Sequence, residues 1–196
     1  MNPIDLPGIR IITVSGRIGA GSTSLAKHIA ETLGWKHIEG GEVFWEAMRK
    51  KMHVATKDTD LRPDEEDILF EEKQKEILKN EHHVVLESKL AGFCAQNMTD
   101  VFKIAVICEN ENGEDQPQIR TDRLINREKI AYDEAKAEIF EREKNDLTKW
   151  RKLYADGDKL WVYWDSKYYD ITINTFMHGQ EENLKHVLEK IGYNSK

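Results

Sequence analysis

Along this chain, nearly unbroken apolar runs alternate with segments whose apolar residues recur every three or four positions. Ile9 to Ser15 reads Ile-Arg-Ile-Ile-Thr-Val-Ser. A β-branched run of that length is the pattern of a strand covered on both faces. A glycine-rich turn follows. Leu25, Ile29 and Leu33 then recur at helical spacing beside Ala26 and Ala30, which predicts an amphipathic helix stopped by Gly34. His37-Ile38 predicts a short second strand, turned by Gly40-Gly41, and Glu42 to Lys51 reads as a helix. Residues 53–62 are polar and read as loop. Pro63 opens a long charged helix to about Lys79. Val84 to Ser88, Phe102 to Cys108 and Tyr169 to Asn174 predict the third, fourth and fifth strands. Helices are expected over Ile119–Lys129, Tyr132–Leu153 and Gln180–Ile191. Strands alternating with helices predict an α/β fold with a parallel sheet between two helical layers.

The 196 residues suit one domain with a full core. No repeat or Pro/Gly/Ser linker divides them. Apolar residues are 39% and charged residues 33%, a globular balance with a heavily charged surface. The net charge of −7 argues against a broad nucleic-acid surface and leaves room for a local basic pocket. Cys94 and Cys108 match neither a disulfide framework nor a zinc spacing. Both are expected as reduced, packed thiols, which suits a cytoplasmic protein. No apolar run approaches a membrane span, and Met1–Arg10 lacks a signal-peptide core.

Gly16-Arg17-Ile18-Gly19-Ala20-Gly21-Ser22-Thr23 lies between the first strand and the first helix. It compares with the phosphate loop G-x-x-x-x-G-K-[ST]. Gly16 and Gly21 have the right spacing, and Thr23 holds the hydroxyl position. Position 22, where the motif has lysine, is serine. Glycines let backbone N–H groups converge on one concavity, and the helix N-terminus adds partial positive charge. Those donors do not depend on the lysine. The lysine adds a full charge where charge builds up in phosphoryl transfer. Its loss is therefore expected to weaken transfer more than docking. Arg17, inside the loop, is the expected stand-in. Lys27, one helical turn beyond Thr23, is expected to pack away. An ordinary glycine turn is the plainer alternative for the loop, and a solvated cation for Arg17.

Downstream segments point further: Gly40-Gly41-Glu42-Val43-Phe44, Leu86-Glu87-Ser88-Lys89-Leu90-Ala91-Gly92, Arg142 to Trp150, and Tyr169 to Thr175. With the loop, their order and spacing resemble nucleoside monophosphate kinases, and among these the short, archaeal-type cytidylate kinases. The resemblance runs from Ile11 to about Ile191. It implies a P-loop NTPase fold with a five-stranded parallel sheet, an acceptor flap over about residues 39–80 and a helical lid over about 127–153. It also implies transfer of the ATP γ-phosphoryl group to CMP or dCMP, with Mg2+.

The resemblance assigns roles position by position. Gly16, Gly19, Ala20, Gly21, Ser22 and Thr23 would hold ATP. Arg123 would lie against its adenine and Arg127 near its phosphates. Thr23 and, through waters, Glu87 would hold magnesium. Lys89 would contact the acceptor phosphate, with Gly41 in the flap. Arg142, Asp146 and Lys149, at i, i+4 and i+7, would form the lid constellation, with the cations clamping phosphates and Asp146 reading the base or orienting a cation. Lys89 and Lys149 stand where the family has arginine, so the two-pronged geometry is lost while the charge is kept. Glu39 replaces a small hydroxyl residue and Trp45 an arginine, whose charge Arg49 could supply.

These departures at phosphate-facing positions keep a second reading open, a nucleotide-binding protein of the same fold with little or no kinase activity. A kinase for another small acceptor is a third. On each reading the expected partners are small-molecule nucleotides, with no nucleic acid and no membrane, for a monomer or weak dimer. The run Trp161-Val162-Tyr163-Trp164 is expected to be a buried edge or lid anchor, with an oligomer contact as the alternative.

Overall fold

The computed structural model describes residues 2–41 and 64–193. Five strands, β1 (Ile11–Gly16), β2 (Lys36–Glu39), β3 (Val84–Glu87), β4 (Val101–Ile107) and β5 (Ile171–Asn174), form one sheet. Their order is β2-β3-β1-β4-β5 and every neighbouring pair is parallel. Strand β1 is central and buried at all six positions. The chain leaves it toward the β3 side and returns to the β4 side. The C-terminal end of β1 is therefore the switch point of the sheet, where open α/β folds bind ligands.

Both faces of the sheet are covered, as unbroken apolar strands require. On one face α1 (Ser22–Leu33) packs Leu25, Ile29 and Leu33 against Ile12, Val14, Val85 and Ile104, and Val187 of α7 (Gln180–Lys190) joins them. On the other, Leu78 of α2 (Asp64–Asn80) and Ala91 of the short α3 (Ala91–Cys94) meet Ile11, Val84 and Leu86. Each fully buried aliphatic side chain contributes about 1.5–3 kcal/mol. Gly34 ends α1 at φ 66°, donating back to Ala30 and Glu31 carbonyls. Cys108 is buried and Cys94 half-buried, both as free thiols. No described helix is long and apolar enough to cross a membrane.

The C-terminal half carries α4 (Pro117–Glu128), α5 (Tyr132–Ala137), a π-helical segment (Glu138–Arg142) and α6 (Glu143–Tyr154). The single helix expected over Tyr132–Leu153 is thus interrupted. A π turn inserts one residue and rotates the following helix by about 100°. Ala135 before it and Ile139 within it pack on Leu124 of α4. After it, Glu143, Asp146 and Trp150 turn inward. Helix α3 and a 3-10 turn at Ser166–Tyr168 were not anticipated, being too short for a periodic signal. The helix expected over Glu42–Lys51 lies outside the described residues.

Trp161 and Tyr163 are buried with Trp150 and Leu90. Trp150 meets Tyr163 edge-on at 5.4 Å. The Tyr163 hydroxyl donates to the Gly16 carbonyl at 3.3 Å. Trp161 and Tyr163 are thus buried, as expected, and pack α6 beside the glycine loop.

Candidate active site

The glycine loop sits at the switch point. Gly19 and Gly21 have φ of 73° and 103°, conformations that favour glycine. A Cβ at Gly19 would collide with the Arg120 carbonyl of α4. Gly16 is equally confined, since a Cβ there would lie 2.9 Å from that of Ser22. Ala20 is fully buried, and its carbonyl accepts from Thr175 Oγ1 at 2.6 Å. Helix α1 starts at Ser22 with no side-chain cap. Its first N–H groups are left for an anion.

Two hydroxyls converge on one carboxylate. Thr23 Oγ1 donates to Glu87 Oε1 at 2.7 Å, and Ser22 Oγ to the same oxygen at 3.1 Å. Glu87 Oε2 is buried without a hydrogen-bond partner, and His37 Nε2 lies 3.4 Å away. A carboxylate with an open oxygen beside two hydroxyls fits a hard divalent cation. Among the described residues no group of three or more His, Cys, Asp or Glu is placed to hold a metal. Phosphate oxygens would have to complete the shell, as they commonly do for Mg2+.

Lys89, just past β3, reaches α6. Its Nζ lies 2.5 Å from Asp146 Oδ2 on α6. Burial holds the Lys89 ammonium below its ordinary range, and Asp146 works against that. Arg142 Nη1 donates to Glu138 Oε2 at 2.5 Å across the π turn. Arg127 Nη1 donates to Thr23 Oγ1 at 2.9 Å, and its Nε pairs with Glu128. Gly16, Ser22, Thr23, Gly41, Glu87, Lys89, Arg127, Arg142 and Asp146 all line one cleft of about 490 Å3. Arg49 and Trp45 lie outside the described residues.

Three expectations change. Arg17 is not an uncommitted cation over the loop. Its guanidinium pairs with Glu143 at 2.5 Å and Asp115 at 3.0 Å and stacks 4.4 Å above the Trp164 ring. Glu143 and Asp115 also bind the buried Arg120, so Arg17 belongs to a network tying loop, α4 and α6 together. Lys149 Nζ pairs with Asp67 Oδ2 of α2 at 2.6 Å and does not line the cleft. Lys27, expected to pack away from the loop, is among the residues lining the cleft.

Arg123 donates to Thr175 Oγ1 at 2.7 Å, to the Thr175 carbonyl at 2.9 Å and to the Ala20 carbonyl at 3.3 Å. It fastens the glycine loop to the segment after β5. Arg123, Arg127, Thr175 and His178 line a second cavity of about 450 Å3 beside Gly19 and Gly21 of the loop.

Sequence reasoning missed His37, Asp67 and Glu71. His37 reaches Glu87 only through the β2–β3 register. Asp67 and Glu71 line the cleft from α2, one turn apart and buried. Their i, i+4 spacing was the available signal, hidden in a helix charged on every side. Burial raises the Glu71 carboxyl to about 7, against the pull of the Tyr154 hydroxyl and Lys75.

A phosphate loop at the switch point of a five-stranded parallel sheet, facing Lys89, Arg127 and Arg142 in one cleft, defines a P-loop kinase fold. Solved structures with this fold include an uncharacterized protein from Eubacterium ventriosum (TM-score 0.63, 16% identity, covering 94% of this chain and 99% of that one). A shikimate kinase from Bacteroides thetaiotaomicron matches at TM-score 0.56 and 15% identity, over 93% and 98%. Sequence relatives narrow the class. The chain is 35% identical to the cytidylate kinase of Pyrococcus horikoshii over 170 residues, 84% of this chain and 79% of that one. It is 33% identical to that of Thermococcus kodakarensis over 179 residues, 89% and 83%. The chain belongs to the cytidylate kinase family. No family model matches it.

Proposed function

We propose that this protein transfers the γ-phosphoryl group of ATP to CMP or dCMP. The observation that carries the reading is the convergence of Ser22 and Thr23 hydroxyls on Glu87, at the open N-terminus of α1, facing Lys89 and Arg142 across one cleft. An oxygen of the acceptor phosphate attacks the γ-phosphorus, and the bond to the β–γ bridging oxygen breaks, leaving ADP. No covalent protein intermediate is needed, because catalysis rests on positioning and charge neutralisation.

The glycine loop N–H groups hold the β- and γ-phosphates, and Arg127 steadies them. The cavity beside Arg123 and Thr175 takes the nucleoside of ATP. Lys89 and Arg142 hold the acceptor and transferring phosphates once they leave Asp146 and Glu138. Thr23 and, through waters, Glu87 would hold Mg2+, which neutralises phosphate charge when bound. Residues from about 127 to 153 act as the lid that excludes water, and residues from about 39 to 80 as the acceptor flap. Free thiols at Cys94 and Cys108 suit a reducing cytoplasm. The protein works as a monomer or weak dimer on nucleotides alone.

The test is incubation with ATP, Mg2+ and a panel of nucleoside monophosphates, reading ADP and diphosphate formation. Turnover is expected with CMP or dCMP above the other acceptors. Clear ATP binding without turnover on any acceptor overturns the kinase reading in favour of a nucleotide-binding role.

A further inference from the structure

Serine at position 22 leaves the phosphate loop without its usual cation, and Arg17 is committed to Glu143 and Asp115. Ser22 itself turns to Glu87 and carries no charge. Five cationic side chains line the cleft: Arg17, Lys27, Lys89, Arg127 and Arg142. Four are met by carboxylates, Arg17 as above, Lys89 by Asp146, Arg142 by Glu138 and Arg127 by Glu128. Lys27 is the exception among the described residues, with no carboxylate within ion-pair distance.

Its place on the helix supplies the reach. Lys27 follows Thr23 by four residues, so the two share a face of α1. Helical side chains lean toward the N-terminus of their helix and cover the preceding turn. One turn rises about 5.4 Å, a span the four-carbon lysine stem can cross. An extended Lys27 therefore brings its ammonium to the level of Thr23, where the open N–H groups of α1 face a bound phosphate. Lys89 and Arg142 must first break a part-buried ion pair to reach that position. Lys27 is exposed and gives up only rotamer freedom.

We infer that Lys27 supplies from the second turn of α1 the positive charge that the loop lacks at Ser22, closing on the β- and γ-phosphates of a bound nucleoside triphosphate. This rests on the kinase reading for its catalytic consequence and on the loop alone for its binding consequence, and the experiment separates the two.

Two quantities are measured: the affinity for inorganic tripolyphosphate by calorimetry, and kcat for transfer from ATP to CMP. Lys27→Met is expected to lower kcat by about 10²-fold and to weaken tripolyphosphate about tenfold. Lys27→Arg, which keeps charge and stem, is expected to retain most of both. Adding S22K to K27M is expected to recover at least tenfold in kcat, because the charge returns to the same phosphates from the loop. The proposal is overturned if K27M stays within about threefold of the parent in both quantities, or if K27R is as impaired as K27M. It is overturned in favour of Arg127 if S22K rescues R127M but not K27M. If the parent protein turns over no acceptor, the kinase reading fails, and tripolyphosphate affinity alone decides for or against Lys27.

Discussion

Lys89 Nζ lies 2.5 Å from Asp146 Oδ2, so the end of β3 is tied to helix α6 by an ion pair. Asp146 keeps 3% of its side-chain exposure and Lys89 21%. The pair closes one side of the cleft and occupies the cation proposed to hold the acceptor phosphate. On the proposed reading an acceptor phosphate would compete with Asp146 for that ammonium, which would link acceptor binding to the position of α6.

Replacing Asp146 tests that link. Asp146→Asn leaves Lys89 charged without its carboxylate and is expected to cost on the order of 3–5 kcal/mol, read from the urea midpoint. Burial already depresses the Lys89 ammonium, and Asp146 is what holds it up. Its loss moves the Lys89 titration further down. The alkaline fall in kcat/KM for the acceptor therefore shifts to lower pH.

Glu87 accepts from both loop hydroxyls and sits where a magnesium shell would form. Glu87→Gln is expected to lower kcat about 10- to 100-fold and raise the magnesium concentration needed for half-maximal rate. A magnesium titration of the initial rate checks this. A variant with unchanged magnesium dependence would remove Glu87 from that role.

Glu71 sets a pH dependence of stability. Its carboxyl is raised from 4.5 to about 7, chiefly by burial. The folded state therefore binds more protons than the unfolded state between those values. The stabilisation is full below about 4.5 and is lost as pH rises through about 7. The loss is on the order of 3 kcal/mol. Urea midpoints at pH 5 and pH 8 should differ in this direction, and Glu71→Gln should flatten the difference.

Gly19 allows α4 to press on the phosphate loop. Its φ is 73°, and a Cβ would strike the Arg120 carbonyl. Gly19→Ala is expected to cost more than about 1 kcal/mol from the backbone alone. It should also weaken ATP binding at least tenfold, measured by calorimetry, because the loop must shift to relieve the collision.

Much of the fold was legible because periodicity is a local property. Strand β1 and helix α1 could be read residue by residue, since a run buried on both faces and a stripe buried on one leave different spacings. The glycine loop was legible for the same reason, its backbone demands being met by glycines within eight positions. Helix α6 shows the opposite. The π turn at Glu138–Arg142 leaves no periodic mark in a segment charged on all sides. Within α6, Asp146 meets Lys89 of the β3 end while Lys149, one turn on, meets Asp67 of α2, a division set by where β3 and α2 come to rest.

The sequence by itself determined the alternation of strand and helix, the phosphate loop with its serine at position 22, and the family resemblance. Only the tertiary structure decided which cations face the loop. Arg17, adjacent in sequence, is taken by Glu143 and Asp115 from distant segments, while Lys27 is left unpaired on the cleft wall among the described residues. The reason is physical: periodicity records which side of an element is buried, whereas an ion pair depends on where two elements far apart in the chain come to rest.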